Sequence, residues 1–197
     1  ISMSLVTMVY NWQLMKLMGT DGVTIYGIIM YVNFIFVSVF LGYSIGSAPI
    51  IGYHYGAGNR EELKGLLRKS ICLILIFSLA LTGIAELFAR PLSAIFVGYN
   101  KELLAVAAHA FSISALSFLF SGFNIFASSF FTALNDGLTS ALISFGRTLV
   151  FEMIAVLVLP VFFGANGIWS AVAIAEIFAC LLSVFFYVKK KDIYHYV

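Results

Sequence analysis

Charged side chains are scarce in this chain. Asp, Glu, Lys and Arg together supply 10% of its 197 residues, whereas soluble domains carry about 25%. Hydrophobic residues supply 62%, and the mean hydropathy is +1.04. So few polar residues do not cover a domain of this length with a hydrated surface. The composition therefore excludes a soluble domain and predicts an integral membrane protein.

Cysteine is also scarce, and residues with catalytic chemistry are scattered. Cys72 and Cys180 lie inside apolar runs without metal-ligand neighbours, so we expect two reduced, buried thiols. His54, His109 and His195 lie far apart, and the sequence has no phosphate-binding loop. We therefore expect no enzyme activity, no bound metal and no organic cofactor. The net charge of +2 gives no reason to expect a nucleic-acid partner.

Long apolar runs are the dominant feature that is present. About 20 apolar residues in a helix cross the roughly 30 Å hydrocarbon layer of a bilayer. Six runs of sufficient length alternate with glycine-rich or charged segments. The sequence therefore predicts an all-α membrane bundle of six transmembrane helices, forming a single domain over 1–197, with spans at about 1–18, 23–51, 66–88, 103–133, 138–163 and 168–188.

The segments between the first spans carry turn and packing signals. Residues 19–22, Gly-Thr-Asp-Gly, predict a tight turn, and 53–65 predicts a basic loop. Pro49 marks the place where the long second run is expected to bend or stop. Gly42 and Gly46, spaced four apart, are predicted to line a face against which a neighbouring helix packs.

Lysines and arginines predict the orientation in the membrane. With six spans, the loop at 53–65 and the tail after 188 lie on the same side. That side holds seven basic residues and the opposite side three. Because cytoplasmic loops are enriched in Lys and Arg, the C-terminus is predicted to be cytoplasmic in a multi-pass protein of the plasma or inner membrane. The basic residues of the predicted cytoplasmic side are Arg60, Lys64, Arg68, Lys69, Lys189, Lys190 and Lys191.

Two stretches resemble a known family. PIIGYHYGAGNREELKGLLRK at 49–69 is similar to a loop of the multidrug and toxic compound extrusion (MATE) transporters, and the Leu-Pro followed by Gly-Ala-Asn-Gly-Ile-Trp at 159–169 is similar to their last helices. The resemblance implies twelve helices in two six-helix lobes with the substrate cavity between them. This chain, which begins on Ile rather than Met, would be a fragment carrying helices seven to twelve. Its partners would be the missing N-terminal lobe, the lipid bilayer and a small organic substrate.

The resemblance also implies an activity. Members of the family are antiporters in which an inward Na⁺ or H⁺ gradient drives export of organic, often cationic compounds, which is multidrug efflux. The NorM branch carries acids in helices seven and ten, where this chain offers Asn11 and Asn124. It looks more like the DinF- or MepA-like branches, with the coupling carboxylate expected in the missing lobe. The coupling ion stays open between Na⁺ and H⁺.

Three charged residues in the last two spans are the main site candidates. By rise per residue, Arg147, Glu152 and Glu176 share a depth near the middle of the bilayer. We expect Arg147 to pair with Glu176 on the adjacent helix as a structural lock, although direct substrate contact is the alternative. Glu152 lies five residues after Arg147 and points to a different face. It is the better functional candidate, facing the cavity.

Three asparagines lie in apolar runs and are further candidates. Asn11, Asn33 and Asn124 need hydrogen-bond partners inside the membrane. Interhelical hydrogen bonding and lining of the substrate or ion cavity both stay open for them.

Two alternative functions remain. One is a flippase for lipid-linked oligosaccharides from the same broader superfamily; such flippases tend to carry cationic cavity residues, and Arg147 is the only membrane-embedded base here. The other is a membrane scaffold subunit that transports nothing. Gradient-dependent efflux would separate a transporter from a scaffold.

Overall fold

The structure is a computed structural model that describes residues 2–196. These residues form seven α-helices and one π-helical segment, and the described part contains no strand. The all-α prediction is therefore confirmed. The elements are α1 Ser2–Gly56, α2 Arg60–Val97, α3 Lys101–Ala115, α4 Phe118–Ala133, α5 Gly137–Phe145, the π-segment Gly146–Phe151, α6 Glu152–Phe163 and α7 Ala165–Tyr194.

Several of these helices match a membrane in length and apolar character. Four helical stretches qualify, and the bent pair α3 and α4 gives a fifth if the two are taken as one span. The stretch within α1, Met3–Gly56, is 54 residues long, far more than the roughly 20 that one crossing needs. The count of six crossings remains a prediction.

One residue breaks α1 into two arms. Gly19 has φ of +66° and ψ of −147°, a conformation that residues with a Cβ avoid. The rings of Tyr10 and Tyr26, on opposite sides of the break, stack with centroids 4.8 Å apart. This contact shows that the chain reverses direction at Gly19. The predicted turn at 19–22 is wrong in extent, since the helix resumes directly after Gly19.

Pro49 was predicted to bend or stop the helix, and the predicted stop is wrong. The second arm of α1 runs through Pro49 to Gly56, and membrane helices tolerate proline when neighbouring groups satisfy the freed carbonyl. The predicted loop at 53–65 shrinks to residues 57–59. Asn59 ends it, because its side-chain oxygen accepts a hydrogen bond from the Glu62 N–H and caps α2.

Two of the predicted spans are irregular. The span at 103–133 consists of α3 and α4, whose axes meet at 43°. The span at 138–163 consists of α5, the π-segment and α6. π-Helical turns are rare and often mark functional sites, and this one contains Arg147.

The core consists of two apolar clusters, with many large apolar side chains facing outwards. The first cluster joins both arms of α1 to α3, α6 and α7 and includes Leu14, Ile25 and Trp169. The second lies at the other end of the lobe and includes Phe130 and Tyr196. Outward-facing side chains such as Phe34 and Leu87 are highly exposed, as expected for a surface that faces lipid.

Close helix packing depends on different glycines from those predicted. A Cβ at Gly42 or Gly46 would meet no heavy atom of the described chain within 4 Å, so these glycines do not serve packing within this lobe. At Gly167 in α7, by contrast, a Cβ would overlap the backbone carbonyl of Leu159 in α6. The contact between α6 and α7 therefore requires glycine at position 167.

A charged cluster ties the start of α5 to the end of α7. Asp136 caps α5, because its Oδ1 accepts from the Thr139 N–H at 3.1 Å and its Oδ2 from the Thr139 hydroxyl at 2.7 Å. Lys190 Nζ donates to Oδ2 at 2.6 Å. Burial by itself raises the pKa of Asp136, but the hydrogen bonds from Lys190 and Thr139 outweigh it and lower the pKa from 3.8 to about 2.

We expect Gly167→Ala to lower the unfolding temperature of the detergent-solubilised protein. The added methyl group would overlap backbone rather than a movable side chain, and overpacking of this kind costs about 1–3 kcal/mol. Gly83→Ala is the matched control, because Gly83 is exposed on α2 with no atom within 4 Å of its Cβ. Equal unfolding temperatures for the two variants would contradict the expected clash.

We expect Asp136→Asn to lower the unfolding temperature at pH 7, because the amide keeps the helix cap but loses the charge that Lys190 contacts. Since folding lowers the pKa of Asp136 to about 2, the stabilisation is complete above about pH 4 and is lost as the pH falls towards about 2. The difference in unfolding temperature between parent and variant should therefore disappear over that pH range. Asp192→Asn, at an exposed position on α7, is the control and should show no such gap.

Candidate functional site

A buried hydrogen-bond network surrounds Glu176 on α7. Glu176 is 3% exposed. Its Oε1 accepts from Arg147 Nε at 2.7 Å and from the Ser121 hydroxyl at 3.0 Å, and its Oε2 accepts from Asn124 Nδ2 at 2.7 Å. The Ser183 hydroxyl donates to Asn124 Oδ1 at 3.1 Å. Both carboxylate oxygens are thus satisfied, as a buried charge requires.

Each element that supplies this network does so for a local reason. Ser121 and Asn124 are three apart on α4 and therefore lie on one face of that helix. Arg147 lies on the π-segment, directly after Gly146, where a Cβ would come to 3.2 Å from Leu182 Cδ2 on α7. The glycine lets the π-segment approach α7 closely enough for the ion pair to form.

A cleft lined by hydroxyl groups lies beside this network. It has a volume of about 200 Å³ and is bordered by α1, α4, α5 and the π-segment. Ser44, Ser128, Ser129 and Ser144 contribute hydroxyls, and Arg147 contributes its guanidinium. We call this feature the serine cleft.

A second, smaller cavity contains Glu152. It has a volume of about 30 Å³, and its polar lining comes from Tyr10, Tyr26, Asn33, Ser114 and Glu152. The Tyr10 hydroxyl is buried beside the Glu152 carboxylate, but it makes no hydrogen bond of normal geometry within residues 2–196. A volume of about 10–15 Å³ suffices for one water molecule, so the cavity has room for a water or a small cation but not for an organic molecule. We call it the Glu152 cavity.

A third feature is an open groove rich in methionine. It has a volume of about 560 Å³ and is lined on the first arm of α1 by Met3, Thr7, Met8 and Asn11, with Met30 from the second arm. Methionine side chains adapt to irregular partners, and ligand pockets typically measure about 300–1,000 Å³. We call this feature the methionine groove.

The structure separates the predicted site residues into these three places. Arg147 and Glu176, predicted to pair, are in contact, and Asn124 belongs to the same network with its amide fully hydrogen-bonded. Asn33 and Glu152 share the Glu152 cavity, while Asn11 lines the methionine groove. The roles predicted for them, cavity lining or structural locking, remain predictions.

Sequence reasoning missed the hydroxyls of the serine cleft and the Tyr10 hydroxyl. A signal for the hydroxyls was present, since Ser140, Ser144 and Thr148 recur every four residues, as do Ser128 and Thr132. That spacing places each set on one helix face. Tyr10 carried no comparable signal, because its position depends on the chain reversal at Gly19.

A helical membrane lobe that buries an ion pair and encloses polar cavities is typical of transporters. The family model of MatE matches residues 1–158. The chain therefore belongs to the MatE family, and the predicted family is confirmed, together with a multi-pass membrane location. Its orientation and its branch within the family remain predictions. Members of this family are transporters and not enzymes, in line with the expectation for this chain.

A curated relative covers part of the chain. The chain is 26% identical over 163 residues to the "Probable multidrug resistance protein NorM" of Thermotoga maritima. The match covers 76% of this chain but 32% of that protein. The chain thus spans about a third of the length of this relative.

Solved structures share the fold over nearly the whole chain. The outward-facing conformation of a multidrug resistance MATE family transporter of the MOP superfamily superposes with a TM-score of 0.90 at 18% identity, covering 100% of this chain and 44% of the other. The inward-facing conformation of such a transporter gives 0.88 at 20% identity, covering 98% and 45%. A MOP superfamily transporter from Pyrococcus furiosus, described by a reverse polarity of its binding pocket, gives 0.89 at 18%, covering 98% and 44%. The chain has the fold of one lobe of these transporters.

We expect Arg147→Gln to destabilise the lobe strongly, because it leaves the Glu176 carboxylate buried without its counter-charge. Removing one partner of a buried ion pair costs about 3–5 kcal/mol, whereas replacing both costs much less. The double variant Arg147→Gln, Glu176→Gln should therefore recover most of the unfolding temperature. Arg90→Gln, at an exposed position, is the control. A double variant no more stable than Arg147→Gln would show that the pair does not lock the lobe.

Proposed function

We propose that the full-length protein containing this chain is a secondary active exporter of organic, often cationic compounds, with this chain as one of two lobes. The observation that carries the proposal is the match of the whole lobe to both an outward-facing and an inward-facing multidrug transporter, with TM-scores of 0.90 and 0.88. A lobe that fits both states equally well is suited to rock as a unit against a second lobe.

The methionine groove is our candidate for contact with the organic substrate. Its open side and its volume of about 560 Å³ suit a bulky molecule that the other lobe also contacts. Flexible thioethers accept many shapes, which favours broad specificity. Asn11 adds one polar group that could orient a substrate.

The Glu152 cavity is our candidate in this lobe for the coupling ion. An ionisable residue inside the membrane marks an ion pathway by default. Here the carboxylate shares its cavity with the Tyr10 hydroxyl and the Asn33 side chain, which carry oxygen groups of the kind that bind a small cation or relay a proton. The coupling carboxylate that the family resemblance implies in the other lobe could act alongside it. We propose Na⁺ or H⁺ as the ion.

The two alternatives receive less support. A flippase for pyrophosphate-linked lipids needs several cavity cations, and Arg147 already forms an ion pair with Glu176. A scaffold needs no ionisable group in an internal cavity, yet Glu152 occupies one.

We expect Glu152→Gln in the full-length protein to abolish gradient-driven ethidium efflux from proteoliposomes while the protein stays folded. The amide is nearly isosteric with the carboxylate, but it neither takes up a proton nor supplies a negative charge for Na⁺. Imposing a proton gradient and a sodium gradient separately identifies the coupling ion. Glu86→Gln, at an exposed position on α2, is the control. Unchanged efflux by Glu152→Gln would remove the Glu152 cavity from the mechanism, and failure of the parent to export under either gradient would remove the proposed function.

A further inference from the structure

We propose that the serine cleft is a binding site for the anionic group, a carboxylate or a phosphate, of a small amphipathic ligand. The site is distinct from the Glu152 cavity and from the methionine groove, and it does not depend on whether the protein exports. The terminal nitrogens of Arg147 and the hydroxyls of Ser44, Ser128 and Ser144 would contact the anion.

The first support is the unused hydrogen-bonding capacity of Arg147. A guanidinium carries N–H groups on Nε, Nη1 and Nη2, and within residues 2–196 its hydrogen bonds go through Nε alone, to Glu176. The side chain is 20% exposed and lines the serine cleft. The Nη1 and Nη2 groups form a planar fork that matches a carboxylate or phosphate in bidentate fashion.

The second support is a buried hydroxyl without a partner. Ser44 is 2% exposed, and its Oγ has no hydrogen-bond partner within the described residues, although it lines the cleft. A buried hydroxyl left without a hydrogen-bond partner is destabilising. An anion in the cleft would supply the acceptor that Ser44 lacks.

The third support is a chain of hydroxyls along the opposite wall. Ser128 Oγ lies 2.6 Å from Ser144 Oγ and 2.9 Å from Ser140 Oγ, and Ser140 Oγ lies 2.7 Å from Thr132 Oγ1. Hydroxyl hydrogens rotate to suit their acceptors. The chain can therefore turn its protons towards an anion and pass the polarisation along neighbouring hydroxyls.

The charges of the cleft select an anion over a cation. Within the described part of the chain, the only carboxylate next to it is that of Glu176, and Arg147, Ser121 and Asn124 already donate to both of its oxygens. Glu152 lines the other cavity and not this one. A cation in the cleft would meet the positive guanidinium and no free carboxylate, whereas an anion would meet donors.

The size and walls of the cleft define the ligand class. A volume of about 200 Å³ holds a phosphate or carboxylate with a short apolar group but is below the usual range of drug-sized pockets. Leu41, Ile45 and Ile125 form its apolar wall. The same chemistry could come from the headgroup of an anionic lipid or from a soluble organic anion, because both present an oxyanion beside a hydrocarbon chain.

The test uses the full-length protein in phosphatidylcholine nanodiscs and hexyl phosphate as the probe, with binding measured by calorimetry. We expect saturable binding that weakens about tenfold, the equivalent of about 1.4 kcal/mol, in Arg147→Lys, which keeps the charge beside Glu176 but lacks the fork. The triple variant Ser44→Ala, Ser128→Ala, Ser144→Ala should weaken binding similarly without touching the ion pair. Ser38→Ala, an exposed serine outside the cleft, should bind as the parent does.

Each outcome decides the proposal. If Arg147→Lys does not fold, the serine variant alone carries the test. Absence of hexyl phosphate binding to the folded parent, equal affinity of the serine variant and the parent, or preferential binding of hexylamine would overturn the site. To separate the two sources, the nanodiscs are doped with phosphatidylglycerol: competition with hexyl phosphate assigns the site to a lipid headgroup, and its absence assigns it to a soluble anion.

Discussion

The need to compensate one buried carboxylate organises the interior of this lobe. Glu176 lies at membrane depth, where an unpaired charge costs several kcal/mol. The chain meets that cost with donors from two other elements, Arg147 on the π-segment and Ser121 and Asn124 on α4. One side chain thereby fixes the relative positions of three elements. Gly146 and the π-helical turn lie next to this network, where the π-segment approaches the Leu182 side chain of α7.

The polar interior has two parts. In one, Arg147 and Glu176 form an ion pair, and in the other, Glu152 lies in a separate cavity. Arg147 lines the serine cleft and Glu152 lines a different cavity, so the guanidinium compensates Glu176 without entering the Glu152 cavity. Glu152 shares its cavity with the Tyr10, Tyr26 and Ser114 hydroxyls and the Asn33 amide. The charges of Arg147 and Glu176 compensate each other, whereas the Glu152 carboxylate lies among neutral groups in its cavity. This is the physical difference between a structural and a coupling role.

Sequence reasoning succeeded where chemistry restricts the options and failed where it does not. An acid in an apolar run has few possible partners, so the similar depths of Arg147 and Glu176 along their helices were enough to predict their contact. The break at Gly19 was visible as a cluster of turn residues, although its extent was not. The bend between α3 and α4 falls at Leu116 and Ser117, which carry no helix-breaking signal. The cavities also escaped prediction, because helices that are apolar on every face do not reveal which side points inwards.

The position of the polar groups fits a lobe that moves as one body. The ion pair and its donors lie between α4, the π-segment and α7, so rocking of the whole lobe leaves their distances unchanged. The methionine groove and the serine cleft are open at the surface, and in the proposed exporter their exposure would change with the position of the other lobe. Hydroxyls and a guanidinium at such a surface are poorly suited to lipid. That face of α1, α4 and α5 is therefore better matched to an aqueous pathway between two lobes or to the polar headgroup of a lipid than to hydrocarbon.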